Sequence, residues 1–187
     1  MGKQQGGNCI GVHVPNDATY PEYITEGLRV ALEDTDAEYI LNVNPWVVMQ
    51  HGVIDTLVDR VNVGDDSSIV CGYDLRTEIT PDAFDDYKCL IPKEEHAISF
   101  NALAMKRYTA EVLPIDKNYK TRRFMERDVW QTLFSQGRVS IATQRSPIFS
   151  FDIDFTALES EEEKELDLHY FISKWGYAPA LNAKDLI

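Results

Sequence analysis

Two carboxylates two residues apart, Glu126 and Asp128 in "RFMERDVWQTLFSQG", have the residue types needed for acid–base chemistry. They fall near the start of an expected helix, with Arg122, Arg123 and Arg127 around them. A carboxylate oriented by helix amides and guanidinium groups could take a proton from a hydroxyl group. The same pattern also arises without chemistry, because the helix dipole favours acids at its N-terminus. A second group, Asn42, Asn44 and Trp46, stands where the stretch "YILNVNPWVVMQHGVIDTLVDRV" turns at Asn44-Pro45. Asparagines bring no charge, and hard divalent cations prefer charged oxygens, so Mn or Mg would be poorly held there. Lys106, Arg107, Arg122 or Arg123 could meet the charge of an anionic leaving group, or these four could be solvated surface. Trp46, Tyr73 and Trp175 offer flat faces on which a sugar or base could stack, although core packing is the plainer use of a tryptophan.

Alternating elements are expected to carry these residues. "CIGVHV" reads as a first strand, and "YPEYITEGLRVALEDTD" as a helix with Pro21 in its first turn and Ile24, Leu28, Ala31 and Leu32 on one stripe. A strand over Glu38 to Val43 leads through the Asn-Pro turn to a helix from about Gly52 to Val61, with Val53, Ile54, Leu57, Val58 and Val61 on one face. Ser67 to Asp74 reads as a buried strand, and Thr80 before Pro81 as a helix cap. "HAISFNALAMKRYTAEVL" begins as a strand and ends as a helix, "RRFMERDVWQTLFSQG" is a helix stopped by Gly137, and "RVSIAT" and "IFSFDIDF" are two strands. Strands alternating with helices predict an α/β three-layer sandwich around a mostly parallel central sheet. The 187 residues contain no repeat or low-complexity linker, so a single domain over 1–187 is expected.

Composition excludes several classes. A formal net charge of -13 disfavours nucleic-acid binding, which rests on Lys and Arg releasing counterions. Much of that charge lies in "LESEEEKELD", Leu158 to Asp167, which reads as a solvated helix face. No apolar run reaches the roughly 20 residues that span a bilayer, and "MGKQQGGN" lacks a signal-peptide core, so a soluble cytoplasmic protein is expected. Cys9, Cys71 and Cys89 lack metal-site spacing and read as reduced core thiols. The four histidines, His13, His51, His96 and His169, are scattered. Phosphate-loop, G-x-G-x-x-G, G-x-S-x-G and H-E-x-x-H motifs are absent.

The order of segments resembles the family 2-type glycosyltransferases of the GT-A fold. "YILNVNPWVVMQHGVIDTLVDRV" is similar to their strand ending in an acidic motif, with Trp46 standing where the last acid belongs. "ISFNALAMKRYTAEVLP" is similar to their acceptor-side segment, and "RFMERDVWQTLFSQGRVSIA" to their E-D-x-D pattern, with Met125 and Thr132 in place of an acid and an Arg. "YFISKWGYAP" resembles a K-W-G segment of some members, here Lys174-Trp175-Gly176. The likeness runs from about Pro21 to Pro179, with the nucleotide-binding start shortened. It implies a GT-A-like domain transferring a sugar, with inversion, from a nucleotide-sugar donor to a carbohydrate or other hydroxyl acceptor. Glu126 and Asp128 would be catalytic, Asn42, Asn44, Trp46, Lys106 and Arg107 would bind the donor, and Trp175 the acceptor. No cofactor is specified, and metal-independent transfer would rely on the cationic side chains. The open alternative is a noncatalytic relative that binds carbohydrate or a protein partner.

Overall fold

The computed structural model describes residues 9–15, 17–63, 69–74, 87–89, 100–138, 140–150 and 159–179. The elements in chain order are α1 (Tyr20–Asp34), β1 (Tyr39–Val43), β2 (Val47–Met49), α2 (Val53–Val63), β3 (Ile69–Asp74), β4 (Tyr87–Cys89), β5 (Ala102–Lys106), α3 (Arg107–Glu111), α4 (Arg122–Ser135), β6 (Ser140–Ser150) and α5 (Glu161–Trp175). Local chemistry explains the helix ends. Thr19 donates from its backbone N–H and its hydroxyl to Glu22, at 2.7 and 2.8 Å, and Pro21 sits in the first turn of α1. After α5, Gly176 takes the left-handed conformation, φ 78°, that a side chain would resist.

The sheet runs in the order β1-β5-β3-β6-β2, with β4 also on β6. Among the described residues, β1–β5, β3–β5, β2–β6 and β4–β6 are antiparallel, and only β3–β6 is parallel. This overturns the GT-A-like sandwich with a mostly parallel sheet; the chain is a small mixed α/β protein. The physical reason is the placement of β5. The order β1, α2, β3 reads as a parallel crossover unit, but β5 inserts between β1 and β3 and runs opposite to both. Two further expectations change. Residues 9–15 form no strand, and the two strands expected on either side of Pro147 are one strand, β6. The helix cap expected at Thr80 lies outside the described residues.

Side chains alternate across the sheet, as the pleat requires. On one face Val70, Ala102, Ala104 and Ile148 pack against Val53, Leu57 and Val61 of α2. On the other, Ile40, Ile69, Leu103 and Met105 meet Ile24 and Leu28 of α1, Phe124, Met125, Val129 and Leu133 of α4, and Phe171 of α5.

The sheet also coils. Strands β1 and β2 lie at opposite ends of the strand order, yet only Asn44, Pro45 and Trp46 separate them. A chain from Val43 to Val47 reaches at most about 14 Å, whereas four flat interstrand steps add to about 19 Å. The bend falls where β6 slips against β3: Gly72 pairs Thr143, but Tyr73 pairs Pro147. The end of β6 thereby swings toward the turn after β1, and Asn44 is buried in that turn.

Candidate functional site

Helix α4 carries both candidate carboxylates, and its N-terminus is fixed by acids from the following segment. Its N-cap, Thr121, makes no cap bond with its own side chain. Instead Asp167 of α5, 2% exposed, accepts from the Lys120 N–H at 3.0 Å, the Thr121 N–H at 2.7 Å and the Thr121 hydroxyl at 2.7 Å. Glu159 accepts from the Arg122 N–H at 2.6 Å. These carboxylates satisfy amides that have no partner within the helix, and their charge suits the positive end of its dipole.

Glu126 lies one turn further on and is 8% exposed. It accepts from Arg122 Nε at 2.7 Å, the Phe100 N–H at 3.1 Å and the Tyr20 hydroxyl at 3.3 Å. The Asn44 side chain lies beside the Tyr20 hydroxyl, and the Arg122 guanidinium sits 5.3 Å from the Tyr20 ring centroid. Burial pushes the Tyr20 hydroxyl well above its ordinary range, and the Arg122 charge only partly opposes this. Burial works against the Arg122 cation, but the neighbouring Glu126 outweighs it, so Arg122 stays firmly charged.

The asparagines reach the same cluster from the sheet. Asn44 donates from Nδ2 to the Asn101 side-chain oxygen at 2.9 Å, and its backbone N–H donates to the Asn101 carbonyl at 2.9 Å. Asn42 Nδ2 donates to the Phe100 carbonyl at 3.0 Å. The fold therefore brings Asn42, Asn44 and Glu126 together around Phe100 and Asn101, although Asn44 and Glu126 are 82 positions apart in the chain. Trp46 is half-buried in the adjoining turn.

Asp128 belongs to a different cluster, since residues two apart on a helix point about 200° from one another. It is 1% exposed and accepts from Tyr119 Oη at 3.2 Å, Lys174 Nζ at 2.8 Å and Trp175 Nε1 at 2.8 Å. Lys174 also donates to Asp116 at 2.9 Å, and Asp116 accepts from the Tyr170 hydroxyl at 2.9 Å. Burial lowers the affinity of Lys174 for its proton, but the bonds to Asp128 and Asp116 more than offset this and raise its pKa. Burial, then the Asp128 charge, pushes the Tyr119 hydroxyl up. The indole of Trp175 is thus tied to Asp128, and its ring packs 6.4 Å from that of Phe171.

Lys106 and Arg107 are not brought to the asparagines. The register pairs Tyr39 with Lys106 and Val43 with Ala102, so the basic pair sits at the opposite end of the β1–β5 ladder. Four residues of strand separate the two ends, about 13 Å. Arg107 donates to the Thr35 carbonyl at 2.6 Å and to the Leu32 carbonyl, closing the C-terminus of α1. Tyr20, Asn101 and Asp116 complete the two clusters, and sequence reasoning assigned none of them a role; Glu159 and Asp167, expected on a solvated helix face, instead bind the start of α4. Their contacts cross tens of residues and leave no local periodicity or spacing to read. Of the thiols, Cys71 is buried, whereas Cys9 is exposed instead of lying in the core.

Among the described residues no group of three or more His, Cys, Asp or Glu is arranged to hold a metal ion. A shallow groove of about 390 Å³ lies between the N-terminal segment and α1, lined by Val14, Pro15, Ala18, Thr25 and Lys117 with the acids Asp17, Glu22 and Glu26. It is separate from both clusters in its lining residues. No described helix is long and apolar enough to cross a membrane. No family model matches the chain, and neither a curated protein nor a solved structure does.

Proposed function

We propose that the chain is a noncatalytic interaction module whose ligand is another protein. The observation that supports this is that both candidate carboxylates are buried and tie the fold together, Asp128 through both oxygens and Glu126 through Oε1. Glu126 already accepts from a guanidinium, an amide and a phenol, and Asp128 from an ammonium, an indole and a phenol. A general base needs an oxygen within reach of the acceptor hydroxyl. At 8% and 1% exposure, these two groups offer little room for one. Two of the four cations that could meet a leaving diphosphate are also committed: Arg122 to Glu126, and Arg107 to the end of α1. An interaction role asks only for a stable scaffold and an accessible surface.

The test is binding and turnover across a panel of nucleotide sugars, with and without Mn or Mg. A ligand that binds only the folded state raises the melting temperature, by an amount equivalent to about 2.7 kcal/mol at 100 times its dissociation constant. The expected result is no saturable rise with any donor and no donor hydrolysis. Saturable stabilisation by one donor, with turnover lost in Glu126→Gln, would overturn the proposal in favour of a transferase. Stabilisation by free sugars without turnover would make the ligand a carbohydrate.

A further inference from the structure

We infer that α5, with Glu159 just ahead of it, is a strap that opens as one unit with the start of α4 while the sheet stays folded. This goes beyond the reading of the chain as an interaction module and does not depend on it. The strap is lightly seated. Of the 15 residues of α5, Asp167 and Phe171 are the buried ones, and the first of these is a carboxylate. Leu168, Tyr170 and Trp175 are partly buried against the same core, whereas Glu161, Glu162, Glu165, Leu166, His169 and Ser173 face solvent. By contrast, Ala102 to Met105 of β5 are at most 1% exposed and lie between β1 and β3. A segment that buries little apolar surface opens at lower free energy than a strand in the core.

Asp167 and Glu159 make the opening cooperative. When α5 leaves, both acids leave with it, and the amides of Lys120, Thr121 and Arg122 lose their acceptors. Amides at a helix start have no acceptor within the helix, so the first turn of α4 frays. Fraying that turn while α5 stays docked is also costly, because it strands the buried Asp167 carboxylate without its donors. Neither half opens cheaply alone. At its other end the strap is fastened by Lys174 and Trp175 on Asp128 and by Tyr170 on Asp116. Arg122, which donates to Glu126, lies in the frayed turn, so opening loosens both carboxylate clusters. It also uncovers the rings of Phe124 and Tyr119, which lie against Phe171 and Tyr170. The open form therefore presents an apolar face that the closed form covers.

The experiment is native-state hydrogen exchange of the full chain, followed residue by residue from zero to about 2 M urea. The amides of α5 and those of Lys120, Thr121 and Arg122 are expected to converge on one urea-dependent opening. That opening should have a smaller urea slope than the exchange of β5, and exchange through it should be at least ~30-fold faster in the absence of urea. Lys174→Met touches none of the three amides, yet it should speed their exchange and that of α5 by the same factor, about 5–20-fold. If that variant does not fold, Tyr170→Phe, which removes only the hydroxyl contacts with Asp116 and Asn118, should do the same by about 2–5-fold. Exchange of α5 along the same urea dependence as β5 overturns the inference, because the strap then opens only with the whole fold. So does urea-independent exchange at Lys120, Thr121 and Arg122, or a folded variant that speeds α5 without speeding those three amides.

Discussion

Tyr20 and Glu126, 106 residues apart in the chain, meet at 3.3 Å, and Arg122 closes the contact by donating to Glu126 at 2.7 Å. This trio joins the first turn of α1 to the first turns of α4. Glu126 also accepts from the Phe100 N–H just ahead of β5, so the carboxylate works as a three-way tie between two helices and a strand end.

Glu126→Gln should therefore destabilise the fold. The amide oxygen can replace Oε1, which takes all three bonds, but it accepts them without a charge and leaves a nearly buried guanidinium without its counter-charge. A loss of about 2–3 kcal/mol is expected. Urea unfolding of wild type and mutant measures it. A loss below about 0.5 kcal/mol would place Glu126 among exposed helix-start acids, whose contribution is small.

Asp128 and Lys174 should be energetically coupled. Removing the lysine leaves the 1% exposed carboxylate with the Tyr119 and Trp175 donors only, and removing the acid leaves Lys174 on Asp116 alone. A cycle of Asp128→Asn, Lys174→Met and the double mutant should give an interaction energy of about 1–2 kcal/mol, held down by the partial exposure of the lysine. Additive losses in denaturant titrations would mean that the two residues act independently.

Glu159 should make stability fall as pH rises. Burial raises its carboxyl pKa above the ordinary 4.5, with the Arg122 N–H and nearby cations opposing this only in part. A group whose folded pKa is raised stabilises the protein below its unfolded value, and that contribution is lost as the pH climbs through the folded value. Glu159→Gln keeps an acceptor for the Arg122 amide and removes the titration. The stability of wild type minus mutant should decline from pH 4 to pH 7, and subtraction cancels the lowered carboxyls, such as Asp116, that titrate in both proteins. A difference that grows with pH would show that the charge of Glu159 stabilises the fold.

Asp167→Ala should release the start of α4. The carboxylate serves two backbone amides and one hydroxyl there, so about 2–4 kcal/mol is expected. Hydrogen exchange at the Lys120 and Thr121 amides should speed up more than in the middle of α4. Uniform acceleration along the chain would instead indicate a global loss without a local cap.

The helices were largely written in local chemistry. Thr19 with Glu22 and Pro21 marks the start of α1, Val53, Leu57 and Val61 of the expected stripe form the buried face of α2 while its Ile54 is exposed, and Gly137 and Gly176 take positive φ where α4 and α5 end. Capping, 3.6-residue periodicity and glycine's freedom act within a few residues, so the amino-acid order alone carries them. Strand direction does not work that way. Nothing within Ala102 to Lys106 says that β5 will slide between β1 and β3 and reverse the sheet; that depends on which apolar faces meet across the core. The acidic run that opens α5 shows both regimes in one helix. Glu161 is solvated, as expected from its charged neighbours, but Asp167 six residues later is buried on the start of α4. Periodicity identifies a helix and its polar face, whereas the partner of a particular carboxylate is chosen by chain that returns from tens of residues away. Glu126 and Asp128 have the residue types of a catalytic pair, and tertiary packing placed them in separate clusters by turning them to opposite sides of α4 and surrounding each with donors.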